Sequence, residues 1–231
     1  MPDFSQAARG LEPATVVDHV LLPVGDLEEA AHKVEDRYGL QVLPGGRHPN
    51  IGTANMIVPL GLQYLELITV ADPAEAAEFG LGQAVTRCVA EGKTFVAWAL
   101  RTPDLDALRT KLERAGWSLP PMWEGSRPLA GGRTLRWRTQ DLVPRGQATA
   151  LPFAIQWDVP EDLHPGRAVA SHRVGAASLR KVVVGARDDV QAREQLHLLL
   201  GDGDLYEVQE AAEDGVCRLI LATPGGEVVI D

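Results

Sequence analysis

One unit recurs along this chain, and its recurrence limits the fold more than any other feature. Asp18-His19-Val20-Leu21-Leu22 leads into Asp26-Leu27-Glu28-Glu29-Ala30, and Val96-Ala97-Trp98-Ala99-Leu100 leads into Asp104-Leu105-Asp106-Ala107-Leu108. Each copy is an apolar strand, a turn opening on Asp, and an amphipathic helix that ends near Gly. A weaker third copy reads Lys181-Val182-Val183-Val184-Gly185, then Asp188 onward. A repeat of this length signals a duplicated supersecondary unit. Two such units set side by side can enclose a cleft, and polar residues facing that cleft become the candidate chemistry.

The first unit reads β-α-β-β-β. Residues 16–24 predict a buried strand, and Asp26 with Glu29 makes a capping box for the helix that follows. Leu27, Ala30, Ala31 and Val34 share one helical face, and Gly39 closes the helix. Residues 40–43 predict a strand, Pro44-Gly45-Gly46-Arg47-His48-Pro49 a loop, and 53–60 with 64–70 a hairpin turned at Gly61-Leu62. Residues 72–93, rich in Ala and Glu, predict a linking helix or helix pair. The second unit has the apolar stripe Leu105, Leu108, Leu112 and Ala115, a stop at Gly116, a break at Pro120-Pro121, a turn at Gly131-Gly132, and strands over 134–139 and 152–158. Residues 159–178 form a connection. The third unit follows with strands over 179–185, 205–209, 216–222 and 227–230 and a helix over 188–200. The expected organisation is a paired domain over 12–158, made of units at about 14–71 and 94–158, and a third unit over 175–231.

A net charge of −10 argues against a nucleic-acid partner, because phosphate binding needs a basic stripe. Arg133, Arg136 and Arg138 form one local basic cluster, read as salt-bridged or ligand-facing. Cys88 and Cys217 have neither disulfide-framework nor zinc spacing and read as buried, inert thiols. Residues 1–10 show no apolar run of signal-peptide type, and no stretch of about 20 apolar residues suits a membrane span, so a cytoplasmic protein is expected. Gly45-Gly46 and Gly131-Gly132 lack the strand-to-helix context of a phosphate loop, so no nucleotide cofactor is expected.

The ordered set of motifs resembles the vicinal oxygen chelate superfamily, and within it the glyoxalase-like domain group. The resemblance is carried by Asp18-His19-Val20, the loop from Pro44 to Pro49, and Tyr64-Leu65-Glu66-Leu67-Ile68. It continues through Trp98-Ala99-Leu100-Arg101-Thr102, Gly125-Ser126-Arg127, Leu135-Arg136-Trp137-Arg138, and Leu151-Pro152-Phe153-Ala154-Ile155-Gln156-Trp157, covering nearly the whole chain. It implies an α+β fold of repeated βαβββ units, two of them paired into an open half-barrel around a ligand cleft, with the third C-terminal βαβββ-like unit beside them. The superfamily holds metal lyases, isomerases, dioxygenases, epimerases and metal-free drug-binding proteins, so the likeness fixes a scaffold rather than a reaction.

In that superfamily metal ligands come from the first and last strands of each unit, which points here to His19 and Glu66. The residues themselves agree, since a carboxylate on the inner face of a buried strand costs several kcal/mol unless paired or metal-bound. Taken singly, each also reads as a satisfied core histidine or a solvent-facing strand Glu. Sliding Asp26 onto Asp104 puts Ala97 opposite His19, and Gln156 is taken as the fourth-strand counterpart of Glu66. The expected metal set is His19, Glu66 and Gln156, binding Zn, Ni, Mn or Fe; Glu66 is the expected catalytic residue and serves alternatively as general base if no metal binds. His48, Ser126, Arg127, Arg136, Trp137 and Trp157 are expected to bind substrate. Arg136, with Arg138 on the same strand face and Arg127 beside them, would hold a carboxylate, with surface pairing as the alternative. His48-Pro49 and His164-Pro165 either close the ends of the cleft or are loop histidines packed on their prolines.

Two functional classes follow. The first is a metal-dependent lyase, isomerase or oxygenase acting on a small molecule; the second is a metal-free binding protein of the sequestering kind. A third role, for the unpaired C-terminal unit, is self-association: its apolar face needs cover from the other units or from a second chain, and a homodimer is expected.

Overall fold

The computed structural model describes residues 15–128, 132–144 and 146–231. The opening segment to residue 14, with the start of the predicted paired domain, and Gly131 of the predicted Gly-Gly turn lie outside the described residues.

Eight strands form one curled sheet: β1 (Val16–Pro23), β2 (Leu43–His48), β3 (Thr53–Pro59), β4 (Tyr64–Val70), β5 (Ala97–Arg101), β6 (Trp123–Pro128), β7 (Thr134–Gln140) and β8 (Phe153–Trp157). Their order is β2-β3-β4-β1-β5-β8-β7-β6. β1 runs parallel to β4, β5 runs parallel to β8, and β1 and β5 meet antiparallel at the centre. Val20 and Trp98, which the alignment of Asp26 on Asp104 makes equivalent, are direct cross-strand partners, so the approximate twofold relating the halves passes between them. Edge strands β2 and β6 approach each other, and Arg127 Nη1 donates to the Gly45 carbonyl across the gap at 3.0 Å.

Helix α1 (Leu27–Tyr38) starts on Asp26, whose side chain accepts the Glu29 N–H, and stops at Gly39, whose φ of 66° suits a residue without Cβ. Helix α4 (Leu105–Arg114) starts the same way on Asp104. Between the halves lie the short α2 (Pro73–Glu78) and α3 (Gly80–Glu91), so of the single helix or helix pair expected over 72–93 the pair forms. Val85 of α3 packs on Leu21 and Ile68 and stops one end of the sheet's hollow face.

Strand β2 corrects the expected loop. The segment from Pro44 to His48 is paired with β3, and residues 40–42 are not strand. The strand tolerates Pro44 because it is an edge. A register shift between Pro44 and Gly46 accommodates Gly45, where a Cβ would stand 2.0 Å from Asn55 Oδ1.

The third unit keeps the order β-α-β-β-β: β9 (Ser178–Ala186), α5 (Asp189–Leu200), β10 (Tyr206–Glu210), β11 (Gly215–Thr223) and β12 (Gly226–Ile230). Its sheet order is β10-β9-β11-β12, with β9 parallel to β10, so its strands are arranged differently from those of the first two units. Leu179, Val182, Val184, Leu219 and Leu221 join Val20, Leu22, Trp98 and Leu100, with residues of α1 and α4, in one core on the convex side of the large sheet. Cover for its apolar face therefore comes from the same chain. Among the described residues no helix is long and apolar enough to cross a membrane.

Candidate functional site

Strand alternation sends Val20 and Leu22 to the convex core and His19 and Leu21 into the hollow. The same rule brings Tyr64 and Glu66 inward from β4, and Trp137, Ile155 and Trp157 from β7 and β8. The cleft they line encloses about 140 Å³. Its halves differ in chemistry. The first unit supplies His19, His48, Asn55, Tyr64 and Glu66, whereas the second supplies mainly Leu135, Trp137, Leu151 and Phe153, with Arg127 from β6 as a cation.

The polar floor is organised by a residue to which the sequence reading gave no role. Asp18 sits where the β1–β5 register shifts between Val17 and His19, so two adjacent residues serve one network instead of opposite faces. Asp18 is completely buried. Its Oδ2 lies 2.8 Å from His19 Nδ1 and 3.2 Å from Trp157 Nε1. Its Oδ1 lies 2.9 Å from His164 Nε2 and 3.7 Å from Arg101 Nε. Burial alone would raise the Asp18 pKa, but the hydrogen bonds from His164 and His19 outweigh it and hold the carboxyl well below the usual range.

That charge fixes the protons around it. Gly166 N–H donates to His164 Nδ1 at 3.1 Å, so His164 carries its proton on Nε2 and donates to Asp18. An ionised Asp18 can only accept, so His19 donates from Nδ1 and points Nε2 into the cleft. There Nε2 meets Glu66 Oε2 at 3.4 Å. Glu66 is oriented in turn: Asn55 Nδ2 donates to its Oε1 at 2.8 Å, while Asn55 Oδ1 accepts the Gly46 N–H at 2.9 Å. His48 Nδ1 lies 2.9 Å from Thr53 Oγ1, and its Nε2 stands 3.9 Å from Glu66 Oε1. Burial lowers the His48 pKa against the pull of Glu66. Tyr64 stacks on the His19 ring with centroids 4.5 Å apart; burial, then the charges of Glu66 and Asp18, push its phenol well above the ordinary range.

The structure thus brings His19, His48, Glu66, Arg127, Trp137 and Trp157 to one cleft. Three expected site residues stand elsewhere. Gln156 points to the convex side, where its Oε1 accepts from Leu105 N–H at 2.9 Å and from Arg138 Nη2 at 3.0 Å. Ser126 and Arg136 are exposed outward-facing neighbours of the inward Arg127 and Trp137. Register supplies the true counterpart of Glu66: Leu21 pairs with Glu66, its equivalent Ala99 pairs with Phe153, and Phe153 lines the cleft. Sequence counting failed there because the segment between β7 and β8 has no equivalent in the first unit. Asn55 and Tyr64 were given no role by sequence; a polar side chain at an inward position of an apolar strand was the available signal for Asn55. His164, expected to close an end of the cleft or to pack on its proline, instead bonds Asp18.

The donor set can be tested against the metal the resemblance implies. The second half offers Ala97 and Phe153 where the first offers His19 and Glu66, and neither can ligate. Among the described residues no three His, Cys, Asp or Glu side chains are placed to hold one ion. Catalytic sites of this kind ordinarily use about three protein ligands. The residues present do not fit.

Comparison with known proteins agrees with the architecture. A family model described as a glyoxalase-like domain matches residues 17–200. No protein of curated function matches the sequence. A hypothetical protein from Staphylococcus aureus superimposes with a TM-score of 0.71 at 16% identity, over 87% of this chain and 88% of that one, a likeness of fold. Methylmalonyl-CoA epimerase from Streptomyces coelicolor gives 0.44 at 16% identity over 62% of this chain and 96% of its own. The Mycobacterium tuberculosis enzyme gives 0.42 at 20% identity over 62% and 86%. Both epimerase superpositions are too loose to carry a functional argument.

Proposed function

The chain belongs to the glyoxalase-like domain family of the vicinal oxygen chelate superfamily, and on that footing we propose that it is a small-molecule enzyme of the isomerase or lyase kind that moves a proton at Glu66 without a bound metal. One observation carries this reading: Asp18, His19 and Glu66 stand in line, with the bare nitrogen of His19 3.4 Å from a carboxylate oxygen of Glu66. Glu66 Oε2 takes a proton from an acidic C–H of the substrate and shares it with His19 Nε2. Asp18 stabilises the imidazolium that forms and keeps the ring from turning, as a buried carboxylate does behind a catalytic histidine. Asn55 holds Glu66 in place by bonding its other oxygen. The proton then returns to a different carbon, or to a leaving group.

The test is exchange of C–H protons in D₂O, followed by NMR across a panel of small ketones, ketoacids and hydroxyacids. Wild type dialysed against EDTA should exchange at least one member at full rate. Glu66→Gln and His19→Gln should each slow that exchange by about 10²-fold or more. A rate lost on EDTA treatment and restored by Zn, Ni, Mn or Fe would overturn the metal-free mechanism. A second reading, a metal-free binding protein, is favoured by the apolar half of the cleft; binding without exchange by any panel member would select it.

A further inference from the structure

Arg127 is a side chain of the cleft whose binding capacity the protein leaves largely unspent. It projects from β6 and is only 7% exposed. A guanidinium carries five N–H donors, and among the described residues its protein acceptor is the Gly45 carbonyl, reached by Nη1. No ion pair within 4.0 Å joins it to Glu66 or to another carboxylate among the described residues. Burial pulls its pKa down, against the nearby Tyr64 and Glu66. A largely enclosed cation with a single protein acceptor is stabilised when a counter-charge reaches it from the cleft. His48 does not compete for that role, since its burial favours the neutral ring. Leu135, the cross-strand partner of Arg127, presents hydrocarbon beside it, and Trp137, Leu151 and Phe153 add more to the same cleft.

We propose that Arg127 is the anion-binding residue of the cleft and that the natural ligand is a small carboxylate with an aromatic or branched alkyl body. This rests on, and deepens, the proton-transfer reading above. The forked guanidinium matches the two oxygens of a carboxylate. It also explains why Arg127 is not paired with Glu66. When Glu66 takes a proton it loses its charge, and the negative charge that appears on the ligand is met by a cation already in place.

The test uses 3-phenylpropanoate and its uncharged amide as probes, with binding read from the fluorescence of the cleft tryptophans. Wild type should bind the acid at least tenfold more tightly than the amide. Arg127→Gln should weaken the acid by about 10- to 100-fold and change the amide by less than about threefold, and Arg127→Lys should fall between. Glu66→Gln should keep or improve acid binding. The amide is the control for the bond between β6 and β2: if Arg127→Gln merely loosens the sheet edge, both probes weaken together, and the proposal falls. It falls equally if wild type does not bind the acid, if acid and amide bind alike, or if Arg127→Gln retains full acid affinity. The two readings separate: acid-selective binding lost in Arg127→Gln, with no C–H exchange on any substrate, sinks the proton-transfer reading alone, and exchange without acid selectivity sinks this one alone.

Discussion

Asp18 is a fully buried carboxylate whose bonds order the polar floor of the cleft. Three donors converge on its two oxygens with no access to water. Asp18→Asn keeps the shape but replaces one acceptor oxygen with an NH₂ group, so a buried donor is left facing another donor. We expect a loss of about 2–4 kcal/mol at pH 7 in urea titrations. The pH dependence has a definite sign. The folded carboxyl titrates well below its ordinary value of 3.8, so its contribution is complete above that value and is lost as pH falls below it toward the depressed one. The gap between wild type and variant should therefore be constant from pH 5 to 7 and narrow only in stronger acid. A gap that narrows already between pH 7 and 5 would show that the carboxylate is not held down. The sequence displays Asp18 beside His19, yet strand alternation assigns them to opposite faces, and only the register shift unites them. His19 and Glu66 were readable as an inward pair because each interrupts an apolar strand. The bond of His164 to Asp18 was not, because nothing local shows that its connection turns back to touch β1.

At the scale of elements, helices and strands with strong local signals stand where the residues place them. Asp26, Asp104 and Asp188 each accept a backbone N–H at a helix start, and Gly39 and Gly92 end their helices in left-handed geometry. The departures occur where pairing overrides local preference. Two glycines and a proline predict a loop over 44–49, but an edge strand with a bulge accepts them all. In β8 the error was one of register, and a shift of odd length moves a side chain to the other face of a sheet. Gln156 is the consequence: it ties β8 to the first turn of α4 through Leu105 and to β7 through Arg138. Gln156→Ala should therefore cost about 1 kcal/mol, lowering Tm by roughly 2–4 °C, while leaving probe binding and proton exchange untouched. A Gln156→Ala protein with normal Tm and impaired exchange would return this residue to the site.

At the scale of the whole molecule, the two faces of the large sheet have separate duties. The hollow face carries the cleft, and the convex face is the floor of a core that α1, α4 and the C-terminal sheet complete together. The connection between the sheets is tied down along its length. Gly61 N–H donates to the Gly166 carbonyl at 3.0 Å, His172 bridges the Gln41 N–H and the Pro59 carbonyl, and Arg173 caps the last carbonyls of α1 at Glu35 and Asp36. Trp98 and Leu100, on the central strand, are fully buried members of the core that the C-terminal sheet shares. Removing that sheet would uncover a contiguous apolar surface, which a lone domain does not tolerate in water. A chain ending at Val174 keeps every residue of the cleft and every tie just described, so it separates folding from site chemistry. It should lose the cooperative thermal transition of the full chain, bind the dye ANS and associate on size exclusion. A monodisperse fragment that melts cooperatively and binds 3-phenylpropanoate like the full chain would show instead that eight strands suffice, and that the third unit serves something other than the core.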